Sequence, residues 1–224
     1  MENVYHIDDE DFGDLIYQIE KSFGFEFNED EITNLMTIDE FSELVISKTN
    51  MKEGQQCTSQ ITFYRIRKAL VEKLGVDKNT INPNMKLESI FPKKTRIKDW
   101  NKVFGEYNRI ELQPSSIPYG ISILTAIISF FFLFASYKLY AIPIFISSII
   151  LTKILVKYGK TLPVKYIREL TEQIVRFNYK IERAENGTIN VSEIKKLIFQ
   201  HLTDWLEPNE VKTMNMETKI NYID

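Results

Sequence analysis

Apolar residues recur every three or four positions through the first part of the chain. Phe12, Leu15, Ile16, Ile19 and Phe23 share one face between residues 8 and 23, and Gly24 follows. The pattern predicts an amphipathic helix that stops at the glycine. Asn28 with Glu31, and Thr37 with Glu40, pair a capping side chain with an acid three positions on, the signature of a capping box. Two short helices are expected from them, Glu29 to about Leu35 and Ile38 to Lys48. Beyond the polar residues 49–58, Phe63, Ile66, Leu70 and Leu74 line a helix that starts near Gln60 and ends at Gly75. Asn82-Pro83 and Pro92 keep the next stretch out of helix. Thr95 to Tyr107, around Trp100, reads as a short helix. Pro163 opens another, with Ile167, Leu170, Ile174 and Phe177 on one side. Asn186-Gly187 marks a turn, Ser192 to Trp205 is again amphipathic, and the tail after Pro208 is expected to be irregular. With no convincing period-two alternation, the expected fold class is all-α.

The period disappears in the middle of the chain. Pro118–Ser136 (19 residues) and Leu139–Val156 (18 residues) are apolar on every face, and only Tyr137 and Lys138 separate them. Each run approaches the roughly 20 residues that cross a hydrocarbon core. They are therefore expected to form a two-helix transmembrane hairpin, with Lys153 snorkelling to the headgroups. Lys93, Lys94, Arg96, Lys98, Lys102 and Arg109 precede the hairpin, and Lys157, Lys160, Lys165 and Arg168 follow it. By the positive-inside rule both flanks, and so both termini, are expected on the cytoplasmic side of a multi-pass inner-membrane protein. Tyr119, Tyr137, Tyr140 and Tyr158 stand where interfacial aromatics would.

Charge sharpens the division. Net charge is only −3, but residues 1–48 carry 14 Asp and Glu against 2 Lys and Arg, whereas residues 49–112 carry 13 Lys and Arg against 7 Asp and Glu. These oppositely charged parts are suited either to docking on each other or, for the basic one, to contact with anionic headgroups. The acidic start, MENVYHIDDEDFGD, lacks the basic and apolar regions of a signal peptide, so none is expected. A single cysteine, Cys57, excludes an intrachain disulfide. His6 and His201 are isolated and make no zinc spacing. The run Asp8 to Asp11 lacks the spacing and glycine of a calcium loop and suits a helix N-terminus instead. No GxxxxGK[ST] or GxSxG motif occurs. Asn186-Gly187-Thr188 and Asn190-Val191-Ser192 match glycosylation sequons but read as turn and cap residues. The basic stretch Lys93 to Lys102 lies beside an apolar run, which favours lipid over nucleic acid. No catalytic, cofactor-binding or metal-binding residue is expected, and no cofactor.

Three segments have a familiar cast. In IEKSFGFEFNEDEITNLMTIDEFSELVISK, Ile19 to Lys48, a helix ends at Phe23, a short acidic stretch follows, and Thr37-Ile38-Asp39-Glu40 opens another helix. IRKALVEKLGVDKNTINPNMKLESIF, Ile66 to Phe91, carries the stretch LGVDKNTINPN; SEIKKLIFQHLTDWLEPNEVKTMNMETKINYID, Ser192 to Asp224, is a more divergent relative of it. The first resembles the second half of an acyl carrier protein, and the other two resemble that family's first helix and long loop. The resemblance implies carrier-like helices II–IV over 1–48, a linker over 49–59, and a helix I, loop and helix II over 60–112. A closing helix follows over 162–180. A further helix I and loop over 190–224 would complete the N-terminal domain, within one chain or by exchange between two. A working carrier of that family needs an Asp-Ser-Leu motif whose serine bears phosphopantetheine. Here Asp8-Asp9-Glu10 and Lys94-Thr95-Arg96 stand in its place, so only Thr95 offers a hydroxyl.

The function expected from these readings is a membrane-anchored, non-catalytic, carrier-like scaffold or binding module. Its partners would be the lipid bilayer and a protein received by the acidic helix 8–23, with a homodimer formed if the terminal segments are exchanged. No nucleic-acid partner is expected. Two alternatives stand beside it: a functional acyl carrier modified at Thr95, and a membrane immunity or regulatory protein that neutralises a cognate partner.

Overall fold

The computed structural model describes residues 4–28, 30–107, 109–114, 117–134, 142–147, 149–150, 152–153, 160–183, 187–204, 206 and 208–223. Its helices include α1 (Asp9–Phe23), α2 (Ile38–Lys48), α3 (Thr58–Leu74), α4 (Leu87–Ile90), α5 (Arg96–Phe104), α6 (Ile117–Phe134), α7 (Ile167–Phe177), α8 (Tyr179–Arg183), α9 (Val191–Thr203) and α10 (Pro208–Val211). Its strands are β1 (Val4–Asp8), β2 (Met36–Thr37), β3 (Lys52–Glu53), β4 (Gln113–Pro114), β5 (Lys160–Thr161), β6 (Thr188–Ile189) and β7 (Lys219–Ile223). The chain divides into two compact units. One comprises residues 1–66, 107–109 and 171–224; the other comprises residues 67–106 and 110–170. The boundaries fall inside α3 and α7.

In the first unit the two ends of the chain meet. β7 lies at the centre of a three-stranded sheet of order β1-β7-β2. It pairs in parallel with β1, from Val4↔Lys219 to Asp8↔Ile223, and antiparallel with β2 through Met36↔Ile220 and Thr37↔Lys219. β3 and β6 form a second, parallel pair. The helical period explains what covers the sheet. Leu15, Ile19 and Phe23 of α1, Ile38, Phe41 and Val45 of α2, and Ile194, Ile198 and Leu202 of α9 are buried in one core cluster with Ile7 and Ile220. Phe12 stacks on Tyr222 with ring centroids 4.6 Å apart. The first N–H groups of a helix lack intrahelical partners. In α2 those of Ile38 and Asp39 donate to the carbonyls of Thr218 and Met216, at 3.0 and 2.9 Å, in the segment that leads into β7. Helix α1 ends at Gly24, whose φ of 71° lies in the left-handed region and whose N–H returns to the Glu20 carbonyl. That conformation suits glycine.

The second unit has its own core. Phe91, Trp100 and Phe104 pack ring on ring with centroids 4.8 to 5.9 Å apart. The indole N–H of Trp100 donates to the Ile110 carbonyl at 2.9 Å. Leu70, Ile81, Leu87, Ile167 and Leu170 are buried in the same unit. Two segments far apart in sequence are laced together by backbone bonds: Leu87 N–H to the Lys165 carbonyl, Ile167 N–H to Met85, and Arg168 N–H to Pro83, at 2.9 to 3.1 Å. β4 and β5 pair antiparallel beside them.

Three expectations are corrected. The fold is mixed α/β rather than all-α, because β1 and β7 are five-residue strands. Each is too short to establish an alternation, and each finds its partner at the other end of the chain. The expected helix Glu29 to Leu35 is not formed among the described residues. Leu35 adopts φ 65° and its N–H donates to the Ile220 carbonyl at 2.9 Å, so the backbone there serves the sheet. The transmembrane hairpin, and with it the multi-pass inner-membrane placement, is not supported. Among the described residues no helix is long and apolar enough to cross a membrane. Helix α6 has 18 residues, a rise of about 27 Å against a hydrocarbon core of about 30 Å. Its side chains at Ile123, Leu124, Phe130 and Phe131 are exposed. Of the expected second span, residues 142–147, 149–150 and 152–153 are helical. Its remaining residues, and the turn residues Tyr137 and Lys138, lie outside the described residues.

Candidate functional site

Helix α1 presents its acids outward. With Phe12, Leu15, Ile19 and Phe23 committed to the core, the helical period leaves Asp9, Glu10, Asp11, Asp14, Tyr17 and Lys21 exposed on the other side. Asp8 caps the helix, its Oδ1 accepting from the Glu10 N–H at 3.0 Å. Asp9, Glu10 and Asp11 then fill the first turn, where negative charge favours the helix dipole. Among the described residues, none of Asp9, Glu10, Asp11 and Asp14 is in an ion pair. At the far end of α1, Tyr17, Glu20, Lys21, Gly24, Phe25 and Glu26 line an open groove of about 520 Å³. The Lys21 ammonium lies 5.3 Å from the centre of the Tyr17 ring. Glu20 accepts from the Phe27 N–H at 2.7 Å and so fixes the turn behind the groove.

Two buried polar clusters hold this helix and its neighbours in place. In the first, the Ser22 hydroxyl donates to the Arg176 carbonyl at 2.5 Å and accepts from the Tyr179 N–H at 3.3 Å. His201 lies behind it with no exposed surface. Its Nδ1 faces Arg176 Nε at 3.4 Å and its Nε2 faces the Arg176 carbonyl at 3.2 Å. A guanidinium can only donate and a carbonyl can only accept, so the ring is neutral with its proton on Nε2. Burial first, and the Arg176 charge second, push its pKa down to about 4, and Arg109 acts in the same direction. The Arg176 carbonyl and Asp204 oppose the shift. Arg176 in turn forms an ion pair with Asp204 and donates to the Gln200 carbonyl at 3.1 Å.

In the second cluster, Glu193 serves as a cap supplied from another helix. Its carboxylate accepts from the N–H groups of Thr58 and Ser59, at 3.1 and 3.3 Å, and from the Thr58 hydroxyl. Anion and helix dipole attract at the start of α3. Arg183, with no exposed surface, donates from Nε to the Thr58 hydroxyl at 2.7 Å and from Nη2 to the Gln56 carbonyl, with the Glu193 carboxylate 3.6 Å from Nη2. Next to it in sequence, the buried Glu182 accepts from the Thr62 hydroxyl at 2.7 Å and from Arg65 at 3.3 Å. Cys57 is exposed beside this cluster. The arrangement is structural: its carboxylates and guanidiniums serve caps and each other, while Glu182 Oε1 and Arg183 Nη1 are buried without a hydrogen-bond partner among the described residues.

The other residues singled out in the sequence are dispersed. His6 is exposed on β1, where Asn221 Nδ2 lies 3.0 Å from its Nδ1. Thr95 is exposed and immediately precedes α5; its hydroxyl makes no capping bond to that helix. Among the described residues no group of three or more His, Cys, Asp or Glu side chains is arranged to hold a metal ion. The groove at Phe25 and Glu26 was not anticipated, and its signal in the sequence is slight: an aromatic on each side of an acid just after the helix stop. No family model, no curated protein and no solved structure matches this chain.

Proposed function

We propose that the protein is a non-catalytic, carrier-like interaction module whose acidic helix α1 receives a basic protein partner. The observation that carries this reading is the acidic face: Asp9, Glu10, Asp11 and Asp14 are exposed, and among the described residues none has an ion-pair partner, on a helix whose opposite side is packed against the core. Charge of one sign on a rigid element steers an oppositely charged surface and fixes its register. The adjoining groove, with Tyr17 and Phe25, supplies apolar contact of the kind that fixes binding once charge has brought the partner in. Cross-linking of the full chain in its native cells tests the reading, with wild type compared with the D9K/D11K/D14K variant. All three positions are exposed, so the variant is expected to fold. A partner recovered with wild type, lost with the variant and weakened by salt supports the proposal. Recovery of the same partners with the variant overturns it.

A second reading has one observation in its favour. Thr95 is an exposed hydroxyl just before a helix, beside the loop that resembles the carrier family. On that reading Thr95 bears phosphopantetheine. Intact mass decides it: a gain equal to one phosphopantetheinyl group, absent in Thr95→Ala, supports carriage. An unmodified mass after incubation with a phosphopantetheinyl transferase and coenzyme A excludes it.

A further inference from the structure

The second unit contains an open cleft that neither reading uses. It has a volume of about 490 Å³ and is lined by Lys86, Glu88, Lys93, Arg96 and the segment Thr161 to Lys165. A pocket of this size falls within the range that holds small molecules. Its walls are fixed by main-chain bonds: the Leu87 N–H donates to the Lys165 carbonyl at 2.9 Å, and Lys86 forms a bridge with Tyr166. Arg96 is 4% exposed. Its guanidinium donates to the carbonyls of Phe91 and Lys160 at 3.0 and 3.2 Å, which ties α5 to β5.

Charge in the cleft does not balance. Four cations, Lys86, Lys93, Arg96 and Lys165, face one carboxylate, Glu88. Glu88 lies 3.6 Å from Arg96 and is 67% exposed, so it offsets that one charge weakly. Among the described residues, the ammonium groups of Lys86, Lys93 and Lys165 are within ion-pairing distance of no carboxylate. The nearby Glu169 does not neutralise them. Its carboxylate accepts from the backbone N–H groups of Lys165 and Tyr166, at 2.8 and 3.0 Å, and so caps α7. All three lysines are exposed, and the Lys165 ammonium lies 5.3 Å from the centre of the Tyr166 ring; an anion placed among them gains from each charge, the more so at low ionic strength. Leu162, Pro163 and Val164 add an apolar wall, which a bare inorganic ion would leave unused.

We propose that this cleft binds a small organic phosphate monoester. Its phosphoryl oxygens take hydrogen bonds from Lys86, Lys93 and Lys165, and its organic part lies against Leu162, Pro163 and Val164. The site is independent of the acidic helix, which belongs to the other unit. It is also independent of modification at Thr95, whose side chain is not among the lining residues. Calorimetric titration of the full chain at fixed ionic strength tests it, with inorganic phosphate, glycerol 3-phosphate, a short-chain phosphatidate below its micellar concentration, and a single-stranded oligonucleotide as probes.

Saturable binding of a monoester, tighter than inorganic phosphate, is expected. A hydrogen bond to a charged group contributes about 1.5 kcal/mol or more, so Lys93→Gln or Lys165→Gln should each weaken binding about tenfold. Lys94→Gln and Thr95→Ala should leave it unchanged. Binding of glycerol 3-phosphate assigns the site to soluble metabolites, and binding of phosphatidate alone assigns it to a lipid headgroup; both support a monoester site. No saturable binding of either monoester, binding of the oligonucleotide alone, or binding indifferent to Lys93→Gln and Lys165→Gln would overturn it.

Discussion

Buried His201 makes the first unit sensitive to acid in a pH range where few other groups act. The folded protein holds the ring neutral, with its pKa at about 4 instead of the ordinary 6.5. In the unfolded chain the ring is solvated and binds its proton near the ordinary value. Above pH 6.5 the ring is neutral in both states and costs nothing. As pH falls from 6.5 toward 4, the unfolded state gains a proton that the folded state refuses, so stability declines with pH across that window. At about 1.4 kcal/mol per pH unit, a fall from 6.5 to about 4 amounts to about 3 kcal/mol, most of it lost by pH 4.5. Glu31 and Glu40, whose carboxyls are held below their usual range chiefly by backbone hydrogen bonds, contribute stability that is lost at the acid end of the titration. His201→Gln keeps these contributions and removes the imidazole. The assay is urea denaturation followed by circular dichroism at a series of pH values from 7.5 to about 4.5. Wild type should lose about 2 to 3 kcal/mol more than His201→Gln over that range. Parallel stability–pH curves for the two proteins would refute the reasoning, since they would mean that the ring is charged or solvated in the folded state.

Three further outcomes follow from particular contacts. Thr37→Ala removes the hydroxyl that accepts from the Glu40 N–H at 3.1 Å and breaks the capping box of α2; a loss of about 1 kcal/mol in unfolding free energy, read as a lower urea midpoint with unchanged slope, is expected. Glu193→Gln leaves the buried Arg183 without its carboxylate and weakens the cap on α3. It should cost about 3 kcal/mol by the same assay, and a cost below about 0.5 kcal/mol would place that cluster among exposed ion pairs. Gly24 and Gly75 both adopt φ 71°, but a β-carbon at Gly24 would meet the Lys180 side chain whereas one at Gly75 meets nothing within 4 Å. Gly75→Ala should therefore cost only the backbone penalty of about 1 kcal/mol. Gly24→Ala should cost more, because Lys180 must also give up its bond to the Gly24 carbonyl.

What was legible in the sequence is what is local. The face carrying Phe12, Leu15, Ile19 and Phe23, the stop at Gly24 and the capping box at Thr37 each lie within a few residues, and each has its counterpart in α1 and α2. What escaped involves partners far apart in the chain. β1 and β7 pair residues about two hundred positions apart, and neither strand alone is long enough to establish a period of two. The Asn28 and Glu31 pair illustrates the limit of a local rule. Their hydrogen bond forms, with the Asn28 N–H on the Glu31 carboxylate at 2.7 Å. Among the described residues no helix follows: Lys48 of α2 takes the same carboxylate at 2.5 Å, and Leu35 turns into the sheet. The charge imbalance pointed to α1, whereas the cations of the second unit were read as a linear basic stretch. Lys86 and Lys165 join Lys93 in one cleft only through the ladder of backbone bonds between their segments. Length was the remaining source of error: the apolar run around α6 suggested a crossing that the observed helix does not provide.

The acidic helix stands on a platform built where the first and last segments pair, here within one chain. His6 and Asn221 are paired across β1 and β7, with side-chain nitrogens 3.0 Å apart. In a Cys57→Ser background, His6→Cys with Asn221→Cys should therefore form a disulfide under mild oxidation, and the product should keep the mass and elution of a single chain. Failure to form that bond, or its appearance only in a covalent dimer, would contradict closure within one chain.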